Sequence, residues 1–441
     1  MTRLLRFAVL FLFALSANAQ NLLQVYRDAK GYDAPYAGAR YALQAGLEKL
    51  PQGRALILPT LNLSANATNT RIDIEPHNAA SGPPTLRDAR SYGYLMSFSQ
   101  PVYRLQNNLQ YNQAEFQVKQ AEATFGQAAQ DLIVRVAQAY FDVLAAQDTI
   151  ALVQAQKAAI SEQLAQAKRN FEVGTATITD THEAQARYDL SAAQEIASES
   201  DLEAKKRALQ QITGKEYAAL RTLGPQVKLS PPNPASMQKW VDIAEKQGYP
   251  VLIQETTTEI ANLEAKRNTA GHYPTLDFVA SYGFTSQTAS QLSAVPSNLT
   301  TGIVGLQIGV PLYQGGALNS REREAAANYD KAKQDLENAR RSAALSTRQS
   351  FLSVINGIAQ VGALEQALVS SQSALDSNKL GYEVGVRINI DVLNAQQQLF
   401  STRRDLAVAR YNTITSHLRL KAAAGSLREE DLEEVNRALQ P

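Results

Sequence analysis

Two ten-residue segments are near copies of one another. Residues 171–180 read Phe-Glu-Val-Gly-Thr-Ala-Thr-Ile-Thr-Asp, and residues 382–391 read Tyr-Glu-Val-Gly-Val-Arg-Ile-Asn-Ile-Asp. Each breaks a very long helical pattern with a glycine and ends in an aspartate suited to capping the helix that follows. The copying extends over most of the chain. Ala29, Pro35 and Pro59-Thr60-Leu61 recur 215 positions later as Ala244, Pro250 and Pro274-Thr275-Leu276. Pro101, Tyr103 and Phe141 recur 210 positions later as Pro311, Tyr313 and Phe351. Glu172, Asp180, Ala184-Gln185 and Gly214 recur 211 positions later as Glu383, Asp391, Ala395-Gln396 and Gly425. Self-similarity at a fixed spacing means one structural unit used twice. The expected organisation is a first repeat over 20–225 and a second over 226–441.

Residues 1–19 have the makings of a secretory signal. Arg3 and Arg6 supply a positive start, Leu4 to Leu15 an apolar core, and Ala17-Asn18-Ala19 a small-x-small cleavage site. That run is too short for a hydrocarbon core about 30 Å thick. No other stretch approaches a transmembrane helix, so a membrane-embedded form of this chain must be a β-barrel. Removing the signal takes away two arginines and no acids, which moves the formal charge from +1 to −1. Such a balance gives no polyanion-binding surface, and nucleic acid is not an expected partner. There is no cysteine, hence no disulfide, thiolate metal site or lipidated amino-terminal cysteine. His77, His182, His272 and His417 stand far apart, without ligand spacing. No metal, no cofactor and no catalytic residue is expected, because no nucleophile–base pairing or phosphate loop stands out either.

Within each repeat the period of the pattern changes. A short helical segment (22–30 or 235–247) leads to a helix opened by Pro35 or Pro250 and stopped by Pro59 or Pro274. Period two follows, predicting strands at about 60–70 and 91–100, then 275–285 and 301–310. Leu61, Leu63, Ala65 and Ala67 form one stripe; Tyr92, Tyr94, Met96 and Phe98 form another. The second repeat supplies Leu276, Phe278, Ala280, Tyr282 and Phe284, then Val304, Leu306, Ile308 and Val310. Strands of this kind suit a transmembrane barrel, and equally a half-buried sheet in a soluble domain; the secretion signal favours the barrel. Polar loops at 71–90 and 286–301 join the paired strands.

Long helices come next, at about 103–172 and 313–382. Nothing but isolated glycine interrupts the first, giving about 100 Å at roughly 1.5 Å per residue. Apolar residues recur at steps of three and four through Leu132, Val136, Ala139, Val143 and Ala146, and on through Val153, Ile160, Leu164, Ala167 and Phe171. A sustained spacing of this sort means coiled-coil-like packing. Ile133, Ala137, Tyr140 and Leu144 widen the stripe beyond a two-stranded seam, as a helix with neighbours on both sides requires. Return helices are expected at about 180–213 and 391–424. Ser426-Leu427-Arg428-Glu429 reads as a capping box for a terminal helix at about 427–439.

Four strands cannot close a barrel, and an open edge in lipid leaves backbone groups unpaired at several kcal/mol each. Two chains would give eight strands, whose interior side chains fill it. Three would give twelve, wide enough to continue into a helical tube. The expected fold is therefore an α+β membrane protein: a homotrimer with a twelve-stranded β-barrel, four strands per chain, continuous with a long α-helical barrel. A long dimeric coiled coil is the other reading of the helices, and the strands argue against it.

The sequence resembles the TolC family of outer-membrane channel proteins. The likeness rests on the duplicated Pro-Thr-Leu strand starts, Pro311-Leu312-Tyr313 with Gly315-Gly316, the two Val-Gly turns, and Asp391-Val392-Leu393-Asn394-Ala395-Gln396. It covers nearly all of the chain after the signal. It implies an outer-membrane location in a Gram-negative bacterium, with the helical barrel in the periplasm and outer-membrane lipid around the strands. It further implies a homotrimeric exit duct for efflux or type I secretion, passing small molecules or proteins. The implied partners are a periplasmic adaptor and an inner-membrane transporter of RND, ABC or MFS type, which supplies the energy. By the same resemblance, Asp180, Tyr382, Arg387 and Asp391 stand where the family places its periplasmic gate. Val173, Gly174, Val384 and Gly385 stand where it contacts the adaptor. Members often carry a second acid one turn after the Asp391 position; here that residue is Asn394.

Overall fold

The structure is a computed structural model that describes residues 19–75, 77, 85–224, 229–288 and 295–440. The signal segment 1–18, and parts of the polar loops at 71–90 and 286–301, lie outside the described residues. In chain order the helices are α1 (Leu22–Tyr32), α2 (Ala34–Leu47), α3 (Lys49–Ala55), α4 (Leu105–Glu172), α5 (Ile178–Thr213), α6 (Met237–Gln247), α7 (Tyr249–Thr269), α8 (Ala317–Glu383), α9 (Asn389–Ala423) and α10 (Glu429–Arg437). The strands are β1 (Thr60–Ile74), β2 (Thr85–Tyr103), β3 (Thr222–Leu223), β4 (Thr275–Gln287), β5 (Ser297–Gly309) and β6 (Leu439–Gln440).

The chain divides into two compact units, one of residues 1–41, 125–251 and 340–441, the other of 42–124 and 252–339. Each unit takes material from both sequence repeats.

The 42–124/252–339 unit holds the antiparallel sheet β1-β2-β4-β5. Its register puts Leu61 opposite Phe98, Leu63 opposite Met96 and Ala65 opposite Tyr94. Tyr94 in turn faces Phe284, and Met96 faces Tyr282; Leu276 faces Ile308, and Phe278 faces Leu306. Residues directly opposite share a face, so the four stripes make one apolar surface. Tyr94 stacks on Phe284 at 6.0 Å, and Phe98 meets Phe278 edge-on at 6.0 Å. The other face carries mainly small and polar residues, among them Asn62, Ser64, Ser97, Ser281 and Gly305.

The strands exceed the predicted lengths, because polar residues such as Asn69 and Arg71 continue the ladder, opposite Arg90 and Asp88. Pro101 does not end β2. It sits at a register shift, and the strand continues to Tyr103. Beyond it, the Arg104 guanidinium grips Asp277 with both Nε (2.7 Å) and a terminal nitrogen (2.6 Å).

The other unit has the larger apolar core. Leu22, Val25, Tyr26 and Ala29 of α1 pack with Leu132, Val136, Tyr140, Phe141 and Leu144 of α4. Leu209 of α5, Tyr411, Ile414 and Leu418 of α9, and Leu427, Leu432 and Leu439 complete it. The stripe-widening residues Ile133, Ala137, Tyr140 and Leu144 are all buried here. Tyr411 stacks on Phe141 at 5.6 Å and donates its hydroxyl to Asp148 at 2.7 Å. Burial pushes the Asp148 carboxyl above its ordinary value. The segment entering α1 is tied at Gln20, whose N–H donates to the Ala219 carbonyl at 2.9 Å.

The terminal helix differs from expectation. Ser426 does not cap it; its hydroxyl donates to the Lys421 carbonyl at 3.2 Å, finishing α9. The helix begins at Glu429, where the Asp431 carboxylate accepts the Arg428 N–H at 2.7 Å. The cap lies two residues later, and Asp431, which closes it, also pairs with Lys421 at 2.7 Å.

Candidate functional site

The two Val-Gly segments form the turns that end α4 and α8. Their backbone hydrogen bonds match through the turn itself. In the first, Thr175 and Ala176 both donate to the Asn170 carbonyl, at 2.8 and 3.2 Å; in the second, Val386 and Arg387 both donate to that of Gly381, at 2.9 and 3.0 Å. Gly174 and Gly385 both have φ of 78°, the left-handed conformation that closes a helix end. The space around both is open. Val173 and Val384, the residues before them, are 72% and 65% exposed. Both turns therefore present a bare backbone flanked by an apolar side chain.

The side chains make the two turns unequal. Neither aspartate is the capping residue that the sequence suggested, because each return helix begins two residues before it. Thr177 caps α5: its hydroxyl accepts the Asp180 N–H at 3.2 Å. The Asp180 carboxylate accepts the Thr177 N–H at 2.9 Å and its hydroxyl at 2.8 Å. This is a closed capping box, so Asp180 is committed to its own helix. In the second copy the capping position is Ile388, which has no side-chain acceptor. Asp391 lies 3.6 Å from Arg387 instead. Arg387 gains that reach because its side chain runs over Gly381, where even a methyl group would collide with it. The first copy has Asn170 and Ala176 at the matching places. Arg387 is 59% exposed, so the pair contributes at most about 1 kcal/mol to stability.

Ile388 has nearly the backbone of Thr177, with φ, ψ of −100°, 160° against −88°, 159°, and its side chain is exposed. Ile388→Thr should therefore close a second capping box, steady the start of α9 by about 1 kcal/mol, and draw Asp391 away from Arg387. Amide exchange over residues 389–393 should slow about five-fold on that energy. Exchange as fast as in the parent would mean that Asp391 remains with Arg387.

The structure brings other residues to the tip. Asn170 of α4 donates to the Tyr382 hydroxyl at 3.2 Å. Gln163 of α4 donates to Asn389 Oδ1 at 2.5 Å, with Asn389 buried. Arg187 of α5 donates to Gln397 Oε1 at 2.5 Å and to Asn394 Oδ1 at 2.9 Å. Leu393 inserts among Ile160, Leu164, Ala167 and Ala184, with Tyr188 against them. Sequence reasoning missed Gln163, Asn170, Arg187 and Asn389. Asn389 lay inside the copied segment; the others carry no local signal.

One-faced strands and paired helical hairpins with bare turns are the parts of a channel subunit. The profile of the Outer membrane efflux protein family matches residues 35–215 and 254–426. The outer membrane protein TolC of Vibrio cholerae is 34% identical over 425 residues, which is 96% of this chain and 94% of that protein. The proteases secretion protein PrtF of Dickeya chrysanthemi is 32% identical, over 96% of this chain and 92% of its own. Among solved structures, the outer membrane protein VceC of Vibrio cholerae superposes with a TM-score of 0.78 at 20% identity, covering 92% of this chain and 96% of that one. The Campylobacter jejuni CmeC outer membrane channel gives 0.79 at 16% identity, covering 96% and 91%. The chain belongs to the outer membrane efflux protein family. It is an outer-membrane channel protein of the TolC type, and its fold is that of these solved structures.

Proposed function

We propose that three copies assemble into a passive exit duct, with no catalytic step of its own. The strands cross the outer membrane, and the helical hairpins reach into the periplasm. A periplasmic adaptor docks there, and an inner-membrane transporter drives the cargo. The observation that carries this reading is the four-stranded sheet with one continuous apolar face. Among the described residues β1 and β5 pair on one side only, and in lipid those edges demand further strands. Three chains supply twelve strands in a closed ring. Exposed apolar residues on α8 point the same way: Leu345, Leu352 and Leu380 fall at multiples of seven, as do Ile355 and Val369. A seam of that period fits another helix. The relatives include proteins named for protease secretion and for efflux, and an exit duct serves either cargo.

In this reading the turns form the closing end. Tyr382, Arg387 and Asp391 are its gate residues, and Asp180 serves by fixing the start of α5. Exposed Val173 and Val384, beside open Gly174 and Gly385, are the adaptor contacts. The test is electrical. Purified protein should migrate as a trimer that heat dissociates, and should conduct ions across planar bilayers. A monomeric, non-conducting protein would overturn the duct. Arg387→Ser should raise conductance and antibiotic leakage; parental values in both would remove Arg387 from the gate.

A further inference from the structure

We infer that Arg187 is a positioning residue of the tip: it latches the α4–α5 hairpin to the α8–α9 hairpin within one chain, by bonds that do not titrate. This rests on the reading of the tip as the closing end.

The charged residues singled out by the sequence do not perform this tie. Asp180 is held by Thr177 of its own helix, and Arg387 lies against Asp391 of its own hairpin. Between residue 156 and the turns, the hydrogen bonds that cross between hairpins are Gln163–Asn389, Asn170–Tyr382 and the two from Arg187. The first two are single bonds from neutral amides. Arg187 makes two from separate terminal nitrogens, onto residues 394 and 397. Positions three apart share a helix face, so the planar guanidinium fork meets both acceptors at once. A bond from a charged donor is about twice as strong as a neutral one.

Arg187 also covers the apolar contact between the hairpins. It lines a cavity of about 20 Å³ together with Gln156, Ile160, Ser191, Leu393 and Gln397. Leu393 is the α9 side chain inserted between α4 and α5, and parting the hairpins must release Leu393 and the guanidinium together. Among the described residues no carboxylate oxygen lies within 4.0 Å of Arg187. Arginine stays protonated at any accessible pH, and amide carbonyls do not ionise.

The test uses assembled protein in planar bilayers. Arg187→Ala should raise single-channel conductance several-fold, equally at acid and neutral pH, with trimer migration on unheated gels unchanged. Arg187→Lys should lie between the two, since an ammonium is a point charge that cannot match the fork. If the alanine variant fails to assemble, the lysine variant carries the same comparison. The chain has no cysteine, so Gln163→Cys with Asn389→Cys, joined by a short thiol-reactive crosslinker that carries a disulfide, gives a reducible lock between the hairpins. The lock should suppress the conductance gained in Arg187→Ala, and reduction should restore it. Parental conductance in Arg187→Ala, together with a lock that still closes the pore reversibly, would overturn the latch and leave the gate reading standing. No effect from either would overturn both. A gain confined to acid pH would also overturn the latch.

Discussion

Replacing Arg135 with methionine is expected to cost about 3–5 kcal/mol, the penalty for leaving a buried charge without its partner. The partner is Asp33, whose side chain is only 4% exposed. Two terminal nitrogens of Arg135 donate to its two oxygens, at 3.0 and 2.8 Å. Asp33 also caps α2, accepting the Tyr36 N–H at 3.0 Å. The Arg135 hydrogen bonds hold the Asp33 carboxyl below its ordinary value of 3.8; burial opposes them, and the Tyr36 bond and the arginine charge assist. A depressed carboxylate contributes stability that is present in full above its unfolded value and lost as the pH falls through the folded one. The deficit of Arg135→Met should therefore be widest near neutral pH and narrow below about pH 4. Asp33→Asn placed in the same chain removes the orphaned charge, keeps an acceptor for Tyr36, and should recover most of the loss. Heat dissociation of the trimer across pH checks all three statements. A deficit that grows on acidification would show that Arg135 acts through something other than Asp33.

This ion pair shows what sequence could and could not reveal. The alternation through Leu61, Phe98, Phe284 and Ile308 was legible because a strand exposes its pattern at period two, whatever it pairs with. The paired register that merges those stripes into one face needed coordinates, since each strand reads the same alone. Asp33 sits 102 residues from Arg135, and nothing near either residue announces the other. The tip was legible in the same partial way. Copying located both turns, and the difference at Tyr382 and Arg387 was visible. The meaning of Thr177 against Ile388 was not, because a capping box depends on where the helix begins, and the helices begin two residues earlier than expected. Gln163 and Asn389 meet across 226 residues. Polar side chains on an exposed helix look alike until a neighbour selects some of them. Division of the chain into units that each draw on both repeats was likewise invisible, since a repeat records ancestry and not packing.

Gly425→Ala should be among the most damaging small substitutions, at about 4 kcal/mol from backbone strain plus overpacking. Gly425 follows α9 with φ of 72°, a conformation that an L-residue adopts at a cost of about 1–2 kcal/mol. The larger part comes from its surroundings. A methyl group there would collide with the carbonyl oxygen of Gln247, with the carbonyl carbon at 2.9 Å and Gly248 Cα at 3.1 Å. All three are backbone atoms at the end of α6, and cannot swing aside. Gly214 is the copy of this residue after α5, with φ of 71°. There the added methyl would meet the ring of Tyr32 at 2.6–2.7 Å. Tyr32 is 62% exposed, so its ring can rotate outward. Gly214→Ala should therefore cost only the conformational strain, about 1–2 kcal/mol. The two variants make the same chemical change at the same backbone angle, and differ in what stands opposite. Folded yield and heat dissociation of the trimer should rank Gly425→Ala well below Gly214→Ala. Equal losses would mean that the left-handed backbone dominates at both, and that contact with the end of α6 yields more readily than its backbone atoms suggest.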